Sequence, residues 1–171
     1  MLTGRRNRRR RRIRGLFADH REGCLLRQPR RADIDEIVLY AAASAQIASG
    51  WDVTGDTTAA SGARLQNPDR GAAEVAAPLP SPTLAFDLAF TADPNKACRL
   101  WLRGKALNNS YNNDSVFVQF DNSVDASGNP MWRTNSTTAG TVILEDCSGC
   151  GVSGWGWADT GYGQSVLGPL V

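Results

Sequence analysis

Residues 84–90 read LAFDLAF, and this stretch carries the clearest strand signal in the chain. Large apolar residues occupy every second position, and Ala or Asp fills the positions between them. In an extended segment this alternation places one set of side chains on each face, so it predicts a strand with one buried face. The residues predicted to face the core are Leu84, Phe86, Leu88 and Phe90.

Further strand signals lie on both sides of this stretch. Residues 91–97 (TADPNKA) have the composition of a turn, so 98–104 (CRLWLRG) is predicted to return as the second strand of a hairpin. The chain contains no strong helix pattern, heptad or internal repeat. About eight short strands at roughly ten-residue spacing predict an all-β fold, a β-sandwich. The other predicted strands are 34–42, 50–56, 115–120, 131–134, 141–145 and 165–171, and 57–73 is predicted to be mostly loop with a short extended piece at 63–66.

The charge of the chain divides sharply between a basic head and an acidic body. Residues 1–31 contain twelve Arg and only two acidic residues, whereas 32–171 contain seven basic and fifteen acidic residues. Like charges and little apolar area predict that 1–31 is a disordered segment and that the folded domain spans 32–171. The head is a basic arm for nucleic acid, a natural disordered tail, or the product of a start codon assigned too early.

The apolar runs of the chain are too short for a secretory signal or a membrane span. The head has no apolar region of the kind that a secretory signal requires. No stretch approaches the roughly 20 apolar residues that span a bilayer, so no membrane partner is expected.

Two loops hold the candidate binding residues, and the first is 105–114 (KALNNSYNND). Asn and Asp side chains offer several donors and acceptors that suit the neighbouring hydroxyls of a sugar, with a charged fork and a stacking ring close by. The alternative is that these Asn and Asp residues only shape the turn by bonding their own backbone. The ligand-binding candidates from this region are Arg103, Asn109, Tyr111, Asn113 and Asp114.

The second loop, 146–163, is rich in Gly, Trp and Tyr. Trp155 and Trp157 are two positions apart, so an extended backbone would send both rings to the same side. A large rigid indole is a good platform for the face of a sugar ring, with Asp159 and Tyr162 close by. The alternative is that one or both Trp residues cap the core.

The cysteines allow three interpretations. Cys147 and Cys150 form a CxxC pair, but only Cys24 and Cys98 remain, and the sole histidine is His20 in the head. A zinc site or a redox motif therefore lacks its usual companions. A short-loop disulfide between Cys147 and Cys150 is preferred over a reduced structural pair, and Cys98 is predicted to be a small buried residue.

Metal binding and catalysis receive weaker support. A structural calcium would have Glu145, Asp146 and Asp33 as candidate ligands, although no regular ladder of ligands is present. No cofactor is otherwise expected. Residues 32–171 contain no His, so a nucleophile would lack its common base, and no catalytic residue is assigned. Trp51, Trp101 and Trp132 are predicted to fill core or sheet-face positions.

Taken together, the motifs resemble the galactose-binding-like β-sandwich domains. The resemblance covers about 33–171 and rests on RLWLRGKA (99–106), DSVFVQF (114–120), LEDCSGCG (144–151), GWGW (154–157) and LGPL (167–170). It implies a jelly-roll module of a secreted bacterial protein, hence an extracellular or cell-surface location and a multi-domain parent chain. Domains of this sort continue past the LGPL-like strand, so the sequence looks like a fragment that lacks its last one or two strands.

The function expected from these patterns is a non-catalytic carbohydrate-binding module. The alternative is a structural or adhesion β-sandwich that binds no sugar. Binding of nucleic acid through 1–31 is less favoured, and an enzyme is the most distant possibility.

Overall fold

The computed structural model describes residues 10–17, 20–21, 36–68, 70–93, 96–144 and 153–159. Strands dominate, so the prediction of an all-β chain is confirmed at that level. Two 3₁₀ turns, Leu107–Asn109 and Tyr111–Asn113, lie between strands. The remaining elements are β1 Arg10–Phe17, β2 His20–Arg21, α1 Ala41–Ser44, β3 Gln46–Ile47, β4 Asp52–Gly55, β5 Ala63–Gln66, β6 Phe86–Thr91, β7 Leu102–Gly104, β8 Ser115–Phe120, β9 Gly140–Ile143 and β10 Gly156–Ala158.

Within the described residues the strands form three antiparallel sheets. The largest has the order β3-β6-β1-β8-β9, the second has the order β10-β7-β2, and β4 pairs with β5 as a separate hairpin. One hydrophobic core draws residues from all three sheets. Its members are Ala41, Trp51, Leu65, Phe86, Leu88, Leu100, Leu102, Val116, Val118, Phe120, Val142 and Ala158.

The alternation in β6 and β8 does fix which side chains are inside. Phe86 and Leu88 of β6 are buried. Val116, Val118 and Phe120, which occupy every second position of β8, are buried too. Trp51 is also buried, and its ring packs edge to face on that of Phe86, with 5.2 Å between the ring centroids. Trp132 is partly buried and packs against the core. The burial of Phe86 and Leu88 confirms part of the core face predicted for 84–90, whereas Leu84 is only half-buried and Ala85, predicted on the opposite face, is buried. Trp51 and Trp132 have the packing positions that were predicted.

The predicted hairpin of 84–90 with 98–104 is wrong. β6 pairs with β3 and β1, whereas β7 pairs with β10 and β2 in the other sheet. Both segments have an apolar face, and both faces are buried in the same core, to which Leu88 and Leu102 belong. Alternating apolar residues report burial of a face and do not by themselves specify the neighbouring strand.

The expected disorder of 1–31 does not extend over Arg10–Phe17. This segment forms β1, which lies between β6 and β8 with Ile13 opposite Leu88 and Phe120. The inner edges of β6 and β8 would otherwise present unpaired backbone groups, and an added strand satisfies both. Backbone pairing of this kind depends little on side-chain charge.

Two other predicted strands are replaced by different structure. Residues 36–40 are not a strand, and α1 follows at Ala41–Ser44, where the Ala-rich sequence favours a helical turn. Residues 131–134 make only an isolated bridge from Arg133 to Phe120, and Trp132 has a φ of 46°. A bulky residue in that left-handed region interrupts an extended strand.

The remaining strand predictions fall into two groups. β4, β5 and β9 lie within or close to the predicted segments 50–56, 63–66 and 141–145. The predicted loop 146–163 contains β10, which the high Gly content concealed. The predicted strand 165–171 lies outside the described residues.

Candidate functional site

The outer face of the small sheet carries the aromatic residues. β10 pairs with β7 so that Trp157 lies opposite Arg103, with Ala158 opposite Leu102. Leu102 and Ala158 are buried in the core, so Arg103 and Trp157 alternate to the outside. We call this outer face, with Arg103, Trp155 and Trp157, the platform.

Residues 105–114, which we call the polar loop, contact the segment that leads into β10 through a hydrogen bond. The backbone N–H of Gly154 donates a hydrogen bond to Oδ1 of Asn109 at 3.2 Å. Asn109 has a φ of 52° and follows Asn108 at 56°, a left-handed pair that Asn tolerates better than most residues. The backbone of Asn109 therefore shapes the turn, as the structural interpretation of the loop requires. Its side chain also links the polar loop to the segment before β10.

Trp155 is held on its edge and on its face. Its indole Nε1–H donates to Oγ1 of Thr58 at 2.9 Å, and the guanidinium of Arg103 lies 5.0 Å from its ring centroid. Cation–π stacking of this kind favours a fixed ring orientation. The hydrogen bond and the stacked cation leave Trp155 half-buried, with less surface for a ligand than Trp157 has.

The carboxylate of Asp56 holds Thr58, the residue that accepts the indole hydrogen bond of Trp155. Oδ1 of Asp56 accepts from Oγ1 of Thr58 at 2.6 Å and from its backbone N–H at 2.9 Å. Oδ2 of Asp56 pairs with Arg64 at 2.7 Å. The hydrogen bond from the Thr58 hydroxyl, followed by that from Arg64, holds the pKa of Asp56 well below its usual range. The ionised Asp56 thus fixes the hydroxyl that receives the Trp155 N–H.

Two aromatic rings remain open to a ligand. Trp157 is 40% exposed on the platform, and Tyr111 is 71% exposed in the second 3₁₀ turn of the polar loop. Neither ring caps the core, so the alternative of a buried Trp does not apply to Trp157. An exposed indole on a short strand offers a flat apolar surface at little cost in conformational entropy.

Asp114 and Asp159 occupy buried positions instead of open ones. The backbone carbonyl of Asp114 accepts from the N–H of Leu144 at 2.9 Å, which fixes the end of the polar loop against the residue that directly follows β9. The carboxylate of Asp159 pairs with Arg99 at 3.6 Å, and only 12% of its side chain is exposed. In these surroundings both residues position the loops.

Asn113 faces a different part of the surface. With Asn112 it lines a cleft of about 330 Å³ between β8 and the segment 72–76. The polar loop therefore has two sides, one that contacts the platform through Asn109 and one that borders this cleft. The other cleft residues that carry polar side chains are Asn67, Glu74, Ser115 and Thr141.

Several predicted residues lie outside the described part of the chain. These are the cysteine pair, the calcium candidates and Tyr162, namely Cys147, Cys150, Glu145, Asp146, Asp33 and Tyr162. Cys98 is partly buried against the core. Among the residues that the structure describes, no group of three or more His, Cys, Asp or Glu side chains is placed to hold a metal ion. In the same residues no helix has the length and apolar character that a membrane span needs.

Thr58, Asp56 and Arg64 were not identified from the sequence. The short spacing in DTT (56–58) is typical of a turn closed by an Asp side chain, and that signal was available. The contact between Thr58 and Trp155 spans 97 positions, and nothing in local composition indicates it.

Comparison of the chain with protein-family models, with curated proteins and with solved structures found no match.

Proposed function

We propose that this protein is a non-catalytic carbohydrate-binding module whose ligand stacks on Trp157. The sugar ring lies with its C–H face on the exposed indole, and Asn109 and Tyr111 supply polar contacts at the edge of the platform. Trp155 and Asp159 position the platform, and Asp114 fixes the loop beside it. The Asn113 side of the loop offers further polar groups along the cleft to a longer ligand.

The observation that carries this proposal is the junction of the two loops. Residues 105–114 and 153–159 are far apart in the sequence, yet Asn109 bonds Gly154 and Arg103 stacks on Trp155. These contacts bring amide and guanidinium groups to the short segment that carries the exposed indole of Trp157, and a sugar ring with both C–H and O–H groups requires that combination.

The jelly-roll arrangement and the extracellular location belong to the same proposal. Support comes from the resemblance to galactose-binding-like domains and from the antiparallel sheets that share one core. A flat surface with one main stacking residue gives weak affinity for a single sugar, with a Kd near ~1 mM or about −4 kcal/mol. Several copies in a parent chain would raise the apparent affinity by avidity.

Affinity electrophoresis through gels containing plant, algal and bacterial polysaccharides tests this proposal. We expect retardation of the full chain by at least one polysaccharide, and Trp157→Ala should weaken it about tenfold, which equals about 1.4 kcal/mol. Tyr40→Ala is the matched control, because Tyr40 is 39% exposed but lies at the start of α1.

The control variant should migrate like the wild type in every gel. Absence of retardation of the folded wild type by any polysaccharide would contradict the proposal and favour a structural or adhesion domain. Equal losses in Trp157→Ala and Tyr40→Ala would also contradict it, because the platform would then have no special part in binding.

A further inference from the structure

We infer that the platform selects acidic saccharides, with the guanidinium of Arg103 pairing with a carboxylate or sulfate on the sugar that stacks on Trp157. This inference rests on the proposed function and names the ligand class for the same surface.

The cation of Arg103 is available to a ligand. Among the described residues Arg103 forms no ion pair, whereas Arg64, Arg70 and Arg99 are each paired with a carboxylate. Its guanidinium is half-buried and stacks on the Trp155 ring, so its flat face is occupied. The N–H groups of a guanidinium lie in its plane, and stacking leaves them able to bond an anion at the edge.

Arg103 also lies opposite the stacking residue Trp157. Arg103 and Trp157 are direct cross-strand neighbours on the outer face, where paired residues have their Cβ atoms about 5 Å apart. A pyranose on Trp157 would therefore bring its ring substituents within reach of the Arg103 fork. A carboxylate matches that fork with two parallel hydrogen bonds.

The charge next to Arg103 is also positive. Lys105 follows directly after β7 and adds a second cation two residues beyond Arg103. The carboxylate of Asp159, the residue directly after β10, is already paired with Arg99. Arg103 and Lys105 thus bring two cations to one end of β7, and they attract an anionic sugar.

The experiment compares three galactose-based oligosaccharide probes by isothermal titration at low and high salt. The probes are an oligomer of galacturonic acid, its methyl ester and a sulfated galactose oligomer, with a neutral galactose oligomer as reference. We expect the wild type to bind an acidic probe roughly fivefold more tightly than the ester or the neutral oligomer, the upper range for an exposed ion pair. The preference should shrink at high salt.

Two substitutions at one position separate charge from structure. In Arg103→Gln the ratio of affinities for acidic and neutral oligomers should fall to about one, whatever the change in overall affinity, and Arg103→Lys, which keeps a cation, should retain part of the preference. Binding of the galacturonate or of the sulfated oligomer shows which anion is preferred. Should Arg103→Gln lose its folded near-UV signal, Arg103→Lys decides the question: a smaller preference than in the wild type supports the inference, and an unchanged preference overturns it.

Equal affinity of the wild type for acidic and neutral probes would overturn this inference and leave the proposed function intact. A preference that survives in Arg103→Gln would also overturn it. Failure of every probe and polysaccharide to bind would instead remove the proposed function, which separates the two results.

Discussion

At the residue scale, the two Trp residues of one short segment have different environments. Trp155 is held by Thr58 and Arg103, whereas Trp157 is exposed and lies beside Arg103. The sequence pattern treats them as equivalent because it reports only their two-residue spacing. The difference comes from partners far away in the chain, so it could not be predicted from local composition.

Asp56 makes the support of Trp155 dependent on pH. Its pKa in the folded chain is lowered by bonds from Thr58 and Arg64, while an unfolded Asp has a pKa of roughly 3.9. The carboxylate therefore stabilises the fold above about pH 4, and this contribution is lost as the pH falls toward the folded pKa. We predict that the wild type exceeds Asp56→Asn in free energy of unfolding at pH 7 and that the gap narrows by pH 3.

Urea unfolding at both pH values, followed by Trp fluorescence, measures this gap. Asp125→Asn is the control, because Asp125 also has a lowered pKa, from its bonds with Asn129, but closes the separate turn 125–129. Both variants should show less acid sensitivity than the wild type, and only Asp56→Asn should change the native fluorescence. A gap between wild type and Asp56→Asn that is the same at pH 7 and pH 3 would contradict the role given to Asp56.

At the element scale, Gly154 lies just before β10 and links this strand to the polar loop by a hydrogen bond. Gly154 has a φ of 76°, and no atom lies within 4 Å of the place where a Cβ would be. A side chain there would be strained by the backbone conformation and not by crowding. The same residue donates its N–H to Asn109, so any change of its conformation should separate the two loops.

Gly154→Ala should cost about 1 kcal/mol in the free energy of unfolding, because L residues disfavour this region of φ. Gly128→Ala provides a close match, since Gly128 has a φ of 83° with equally open space but lies in the 125–129 turn. Both variants should lose similar stability in urea unfolding, and only Gly154→Ala should also weaken polysaccharide retardation severalfold. Similar binding by the two variants would contradict the junction.

Elements were predicted from the sequence with uneven success, and the reason is physical. The burial pattern of β6 and β8 follows from side chains two positions apart, which an alternating sequence displays directly. The partner of each strand depends on backbone pairing over long distances, so the supposed hairpin of 84–90 with 98–104 was wrong. β10 has three residues, two of them small, and gives almost no local signal.

At the scale of the whole molecule, the fold class could be predicted and the sheet order could not. Turn spacing and β-branched residues indicated an all-β chain, yet they gave no sign that Arg10–Phe17 would pair between β6 and β8. Charge composition argued against order in that segment, whereas the backbone groups of two neighbouring strands favour a third strand between them.

The candidate site could likewise be predicted only in part from the sequence. The residue types in 105–114 and 153–159 pointed to a polar and an aromatic surface, and the structure brings Asn109 to Gly154 and Arg103 to Trp155. It also places Asn113 on a cleft and Asp159 in an ion pair with Arg99, assignments that need three-dimensional neighbours. Composition thus indicated the chemistry of the surface, and topology decided which residues share it.

The central claim is that the polar loop and β10 act as one binding surface. Titration of a retained oligosaccharide into ¹⁵N-labelled protein, followed by the amide and indole signals, tests it most directly. We predict that the Trp157 indole N–H and the Asn109 side-chain amide shift together along one saturation curve, while the buried Trp51 indole stays in place. Saturable shifts at other residues, with Trp157 and Asn109 both unmoved, would contradict the account.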